Sequence, residues 1–178
     1  MKKIFLILFI FSNGLIVKSQ EINKAYSNAA NYLAVNKRIR NSLIECKLVW
    51  PRNNFQIKHK FYKKGRLQFS VLPTFYPFSL SLFKKNLINN GFSEGEIENF
   101  SSSEKLDSEI LSSLSSNNNS EIKLVFSQYK NRLIIVDIVY VKQGEKYSSF
   151  YNKSLEILFL MDEKDDVKTM YIGGCCVP

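Results

Sequence analysis

One histidine, three cysteines and a lysine-rich alternating stretch are the parts of this chain whose residue types and spacing could do chemistry. His59 lies between Ile57 and Phe61, and Asp137 stands alone on its face among Leu133, Ile135, Val139 and Val141. A general base needs a pKa near working pH and a partner to orient it, so His59 with Asp137 is the candidate acid–base pair, and a hydrolase is the enzyme class it would serve. A structural polar pair would leave the same pattern, and a buried aspartate needs a donor close by in either case. Zinc-ligand spacing, a phosphate-cradling glycine motif and a nucleophile elbow are all missing, so the sequence implies no metal and no cofactor.

The cysteines are Cys46 and the adjacent Cys175 and Cys176 in YIGGCCVP. Adjacent residues have Cα atoms about 3.8 Å apart across a trans peptide, below the roughly 4.4–6.8 Å that a disulfide spans. A Cys175–Cys176 bond is therefore strained, and the expected bridge joins Cys46 to one of the two. If the last strand stays regular, Cys176 shares a face with Met170 and Ile172, which favours Cys46–Cys176. A bulge at Gly173–Gly174 would swap the faces and favour Cys46–Cys175. One thiol is left over, and a chain linked to a partner through it is a third reading of function.

The third feature is cationic. Lys58, Lys60, Tyr62 and Lys64 share the outward face of an alternating segment, with Arg66 beyond the turn and Lys84–Lys85 on the next helix. Tyr62 could stack on a ring while the lysines meet anionic groups, although lysines also guard exposed strands. The aromatic stretch from Phe75 through Tyr76 to Phe78 is either a binding patch or a plug at a sheet end.

The elements that must position these residues follow from periodicity. Residues 1–19 read as a secretory leader: Lys2 and Lys3, a short apolar run, then Val17 and Ser19 at the spacing of a signal-peptidase site, with cleavage expected at Ser19–Gln20. No later stretch is apolar enough to span a membrane. Residues 20–178 suit a single domain with one core. The net charge of +9 is basic. For an exported chain, periplasmic or extracellular, this points to an anionic glycan, a lipid headgroup or an acidic protein rather than nucleic acid.

Ile22, Ala25, Tyr26, Ala29, Ala30 and Leu33 recur at helical spacing, and Ile39, Leu43 and Ile44 extend that face past the basic Lys37–Arg40. Cys46–Trp50 reads as a strand, and alternation over 55–71 predicts a hairpin turning at Lys63–Arg66. Short helices follow, with a stop at Asn90–Gly91, a Ser93–Glu96 capping box and a further helix after Ser103. The polar SSNNNS run reads as a mobile linker. Four strands with tight turns then form an antiparallel meander, with RLIIVDIVYVK at its centre.

The expected fold is thus α+β: an N-terminal helix, a three-strand hairpin unit, short helices, then a four-strand meander, with the helices on one face of a curved sheet. The expected function is a non-enzymatic binding or envelope-associated protein, against the hydrolase and thiol-linked alternatives.

Overall fold

LIIVDIVY and SLEILFLM are apolar at alternate and intervening positions alike, a pattern that suits strands covered on both sides. The computed structural model describes residues 24–45, 61–72, 78–100, 113–141 and 154–176. In it these segments are β5 (Leu133–Tyr140) and β6 (Ser154–Met161) of a five-stranded sheet. β4 (Ile122–Phe126) precedes them and β7 (Val167–Cys176) follows, so β4–β5–β6–β7 is the antiparallel meander that the sequence predicts. β5 occupies the middle of the strand order. Its turn from β4 uses Asn131 and Arg132, both at positive φ (52° and 61°), as a two-residue hairpin loop requires.

Each face of this sheet has its own cover. The first face carries Leu124, Phe126, Ile134, Val136, Leu155, Ile157 and Phe159, and packs against Ala25, Tyr26, Ala29, Ala30 and Leu33 of helix α1 (24–35). The chain breaks at Asn36, whose Oδ1 accepts from the Arg38 and Ile39 amides (2.9 and 3.2 Å) and so starts α2 (Lys37–Glu45). The opposite face carries Val125, Leu133, Ile135, Val139, Leu158 and Leu160, and packs against Leu80, Phe83, Leu87 and Ile97. Phe83, Leu87 and Ile97 come from a 3-10 turn (Ser81–Phe83), α3 (Lys84–Ile88) and α4 (Glu94–Glu98), and Leu80 directly precedes the turn. Gly91 ends the α3 turn at φ 87°, and Ser93 with Glu96 forms the capping box of α4.

The α+β class is as the sequence predicts, but the helices are divided between both faces. The physical reason lies in β5 and β6 themselves: strands apolar on both sides need burial on both sides.

The hairpin unit also departs from expectation. Phe61 is helical rather than extended, and the described hairpin is only β1 (Tyr62–Lys63) paired with β2 (Arg66–Leu67). Lys64 and Gly65, at φ 51° and 77°, form its turn. β3 (Ser70–Val71) leaves the hairpin and joins the large sheet parallel to β4, as its edge strand.

An edge strand exposes unpaired backbone groups, and the serine-rich segment satisfies them here. Ser115 and Ser116 Oγ accept from the Val71 and Phe69 amides (2.9 and 2.8 Å). The Ser116 and Asn117 amides donate to the Phe69 carbonyl (3.0 and 2.9 Å). The run expected to be a mobile linker is a strap along β3.

The expected leader at 1–19, the strand over Cys46–Trp50, His59 and all but the end (Ser113, Leu114) of the helix after Ser103 lie outside the described residues, as do Lys58, Lys60, Phe75 and Tyr76. No helix among the described residues is long and apolar enough to cross a membrane.

Candidate functional site

Two places in the fold collect polar chemistry, and the first is the second face of the sheet. Register sets Ser70 beside Lys123, Lys123 beside Val139 and Val139 beside Ser154; in the adjacent row Val125 meets Asp137 and Asp137 meets Glu156. Strand alternation puts all five polar residues on the side of Ile135 and Leu158.

Asp137 is 2 % exposed and Glu156 7 %. The expected donor near Asp137 is Ser154, whose hydroxyl bonds its carboxyl, yet Oδ1 is buried with no partner. Burial raises the Asp137 pKa to about 7, the Ser154 bond opposes this, and the facing Glu156 carboxylate adds to it. Burial raises Glu156 as well. Lys123 Nζ donates to Ser70 Oγ at 2.8 Å, and burial lowers its pKa.

An acid that is half-protonated near neutrality can give or take a proton, but this one lies almost wholly out of solvent. His59 is outside the described residues, so its distance from Asp137 is outside them too. The sequence reading missed Glu156 and Ser154, although Glu156 is as isolated in SLEILFLM as Asp137 is in LIIVDIVY. A meander register would have set the two side by side.

The second place is a basic end where α1 gives way to α2 beside the hairpin. Lys37 and Arg38 are exposed on the first turn of α2, and Lys63, Lys64 and Arg66 are exposed on the hairpin. Arg40 joins the two elements, its guanidinium carbon 5.1 Å from the centre of the Tyr62 ring. Burial pushes the Tyr62 hydroxyl up to about 12 against the pull of Arg40. Arg66 Nη2 donates to Asn31 Oδ1 of α1 at 3.0 Å. Among the described residues, none of these six cations is ion-paired with a carboxylate.

Several expected members of this surface are placed elsewhere. Lys84 sits on the other face of the sheet and is held by Glu94 and Glu98 (3.3 and 3.4 Å). Phe78 is 5 % exposed and belongs to the core, which makes it a plug rather than a contact. Tyr62 is only half-exposed, with one ring face under Arg40. The basic Lys37–Arg40 reads from sequence as a solvated turn of the helix or a short break; the structure has the break, at Asn36, and the closeness of α2 to the hairpin depends on it.

A recess of about 190 Å³ opens beside Arg66, between α1 and the start of β3. Another cleft, of about 430 Å³, lies by the β6–β7 turn, where Arg132 and Lys168 are mixed with Asp162 and Glu163.

The cysteine doublet closes β7. Leu155 pairs with Cys175 and Ser154 with Cys176, while Ile157 pairs with Ile172, so β7 has one extra residue at Gly173–Gly174. This is the bulge that swaps faces: the Cys175 position aligns with Leu155, and the Cys176 position with Ser154. The bulge needs glycine at 173, because a Cβ there would lie 3.0 Å from Phe83 Cζ and 3.2 Å from the Glu156 carbonyl oxygen. Cys46, the proposed bridge partner, lies outside the described residues.

Compared with family models, curated proteins and solved structures, the chain finds no match in any of the three.

Proposed function

We propose that this chain is an exported, non-enzymatic binding protein of the cell envelope that meets an anionic partner through its basic end. The observation that carries the reading is that α2 and the hairpin, which touch through Arg40 and Tyr62, together carry Lys37, Arg38, Arg40, Lys63, Lys64 and Arg66, with no carboxylate ion-paired to them among the described residues. Solvated side chains that merely keep a surface soluble are commonly mixed in sign, as they are at the β6–β7 turn. A one-sign surface raises the local concentration of oppositely charged partners. The leader-like residues 1–19 supply the expectation of export.

The test uses the full chain with an acidic polysaccharide and with phosphatidylglycerol vesicles at low salt. Retention on at least one is expected, weakening as salt shortens the Debye length from about 30 Å at 0.01 M to about 8 Å at 0.15 M. Charge reversal at Lys63 and Lys64 should abolish it. Equal retention of the wild type and the Lys63→Glu/Lys64→Glu variant would sink the reading.

A second reading, a hydrolase working through Asp137, is favoured by one observation: its buried carboxyl, with Oδ1 unpartnered and its pKa raised to about 7, faces Glu156. Turnover of an ester or glycoside that Asp137→Asn removes without unfolding the chain would establish it.

A further inference from the structure

We infer that the recess beside Arg66 binds one small oxyanion, a carboxylate or phosphate carried on a group of a few heavy atoms, with Arg66 as its recognition residue. This inference rests on the reading of the basic end as the binding surface.

The recess is written into α1. Ser27, Ala30, Asn31 and Ala34 recur at three- and four-residue spacing and are all small, so the helix surface is a trough along this line. Across from it, Leu67 and Phe69 are 1 % and 3 % exposed and close the floor. At the mouth, Asn31 Oδ1 takes one N–H of the exposed Arg66 guanidinium and fixes its plane. The rest of that planar fork is left for a ligand. The Asn31 oxygen is thereby used, which leaves its two amide N–H donors, and the half-buried Ser27 hydroxyl has no partner among the described residues. Among Ser27, Asn31 and Arg66 the donors outnumber the acceptors, and no Asp or Glu among the described residues lines the recess.

A recess whose described lining is rich in donors and holds no carboxylate selects an anion, and a guanidinium fork matches the two oxygens of a carboxylate or phosphate. Size narrows the choice further. The volume of about 190 Å³ is below the roughly 300 Å³ at which pockets enclose drug-sized ligands. It holds one head group, while Lys37, Arg38, Lys63 and Lys64 outside it suit the rest of a multiply charged partner.

The experiment titrates the full chain with glucuronate and with glycerol phosphate by calorimetry, then uses whichever binds to compete against acidic polysaccharide and phosphatidylglycerol vesicles. Binding at one site per chain is expected. Arg66→Gln and Ser27→Leu should each weaken it at least about tenfold, and Lys168→Gln, by the β6–β7 turn, by less than about threefold, all with unchanged melting temperature. Displacement from polysaccharide or from vesicles identifies which one supplies the oxyanion. If neither free oxyanion binds while the polymer or vesicles still do, the recess is overturned and the surface reading stands. If Ser27→Leu has no effect, the recess is also overturned. If neither the free nor the attached anions bind, both readings fall.

Discussion

The two faces of the central sheet solve the same burial problem with different degrees of polar satisfaction. On the first face the large buried polar group is the Tyr26 hydroxyl, and it is fully used: it donates to the Ser127 carbonyl at 3.0 Å and accepts from the Tyr129 amide at 2.7 Å. On the second face Asp137 is equally deep, but one carboxyl oxygen has no partner, and a second acid, Glu156, stands opposite. A buried hydroxyl with two hydrogen bonds locks an element in place, whereas a buried, half-satisfied carboxyl costs stability whenever it is charged. The first face is built to hold α1, and the second tolerates an expense that invites a functional explanation.

The largest expected effect breaks this contrast through pH. The Asp137 pKa is raised in the fold from 3.8 to about 7, so the folded chain keeps a proton that the unfolded chain gives up. The fold is free of this penalty below pH 3.8, loses stability between 3.8 and about 7, and bears the full cost above. The gap between the two values corresponds to a cost on the order of 4 kcal/mol. Glu156, also raised, acts in the same sense. Glu96 and Asp162 are lowered by backbone hydrogen bonds, so their contributions are present above 4.5 and 3.8 and are lost as pH falls through their folded values, on the acid side of the pH range tested. Urea unfolding should therefore show the wild type weakening from about pH 5 to about pH 8, with Asp137→Asn losing most of that slope. An unchanged slope in the variant would move the cost away from Asp137 and erase the difference between the faces.

Next in size is the matched change on the first face. Tyr26→Phe keeps the ring, which packs edge-on to Phe126 at 5.6 Å, but removes the hydroxyl that serves the Ser127 carbonyl and the Tyr129 amide. A loss of about 1–3 kcal/mol is expected, the same at about pH 5 and about pH 8 because no group there titrates between them. A loss that grows with pH would mean that the first face also hides a titrating group.

Much of this arrangement can be read in the sequence, and the exceptions have physical causes. The alternation in β4, the two-sided apolar run of β5, the Asn90–Gly91 stop and the Ser93 box are local patterns, and the structure keeps each of them. The isolation of Asp137 was also legible, because strand parity alone puts it among Leu133, Ile135 and Val139. What parity cannot give is the company across strands: Glu156 and Ser154 reach Asp137 only through the β5–β6 register. Hydrophobic stripes on short helices likewise say that they pack, not on which side. The serine strap and the α2 half of the basic end depend on where β3 and the Asn36 break place them, and these are tertiary facts.

The smallest expected effect tests whether the two covers are independent. α1 runs over 24–35 and buries a continuous stripe, whereas α3 and α4 are five residues each, too short to persist by propensity alone. Their ends must be held by caps and by packing. Ser93 accepts from the Glu96 amide, and Glu96 returns a bond of 2.8 Å to the Ser93 amide. Ser93→Ala should cost about 1 kcal/mol overall. Its sharper signature is local: amide hydrogen exchange should quicken at Ile97 and Leu87, above the Asp137 face, and stay unchanged at Ala29 and Leu33. Equal acceleration on both sides would show that the faces open as one unit. Acceleration confined to the α4 side would make the short helices the part of the fold that can lift and admit solvent to Asp137 and Glu156.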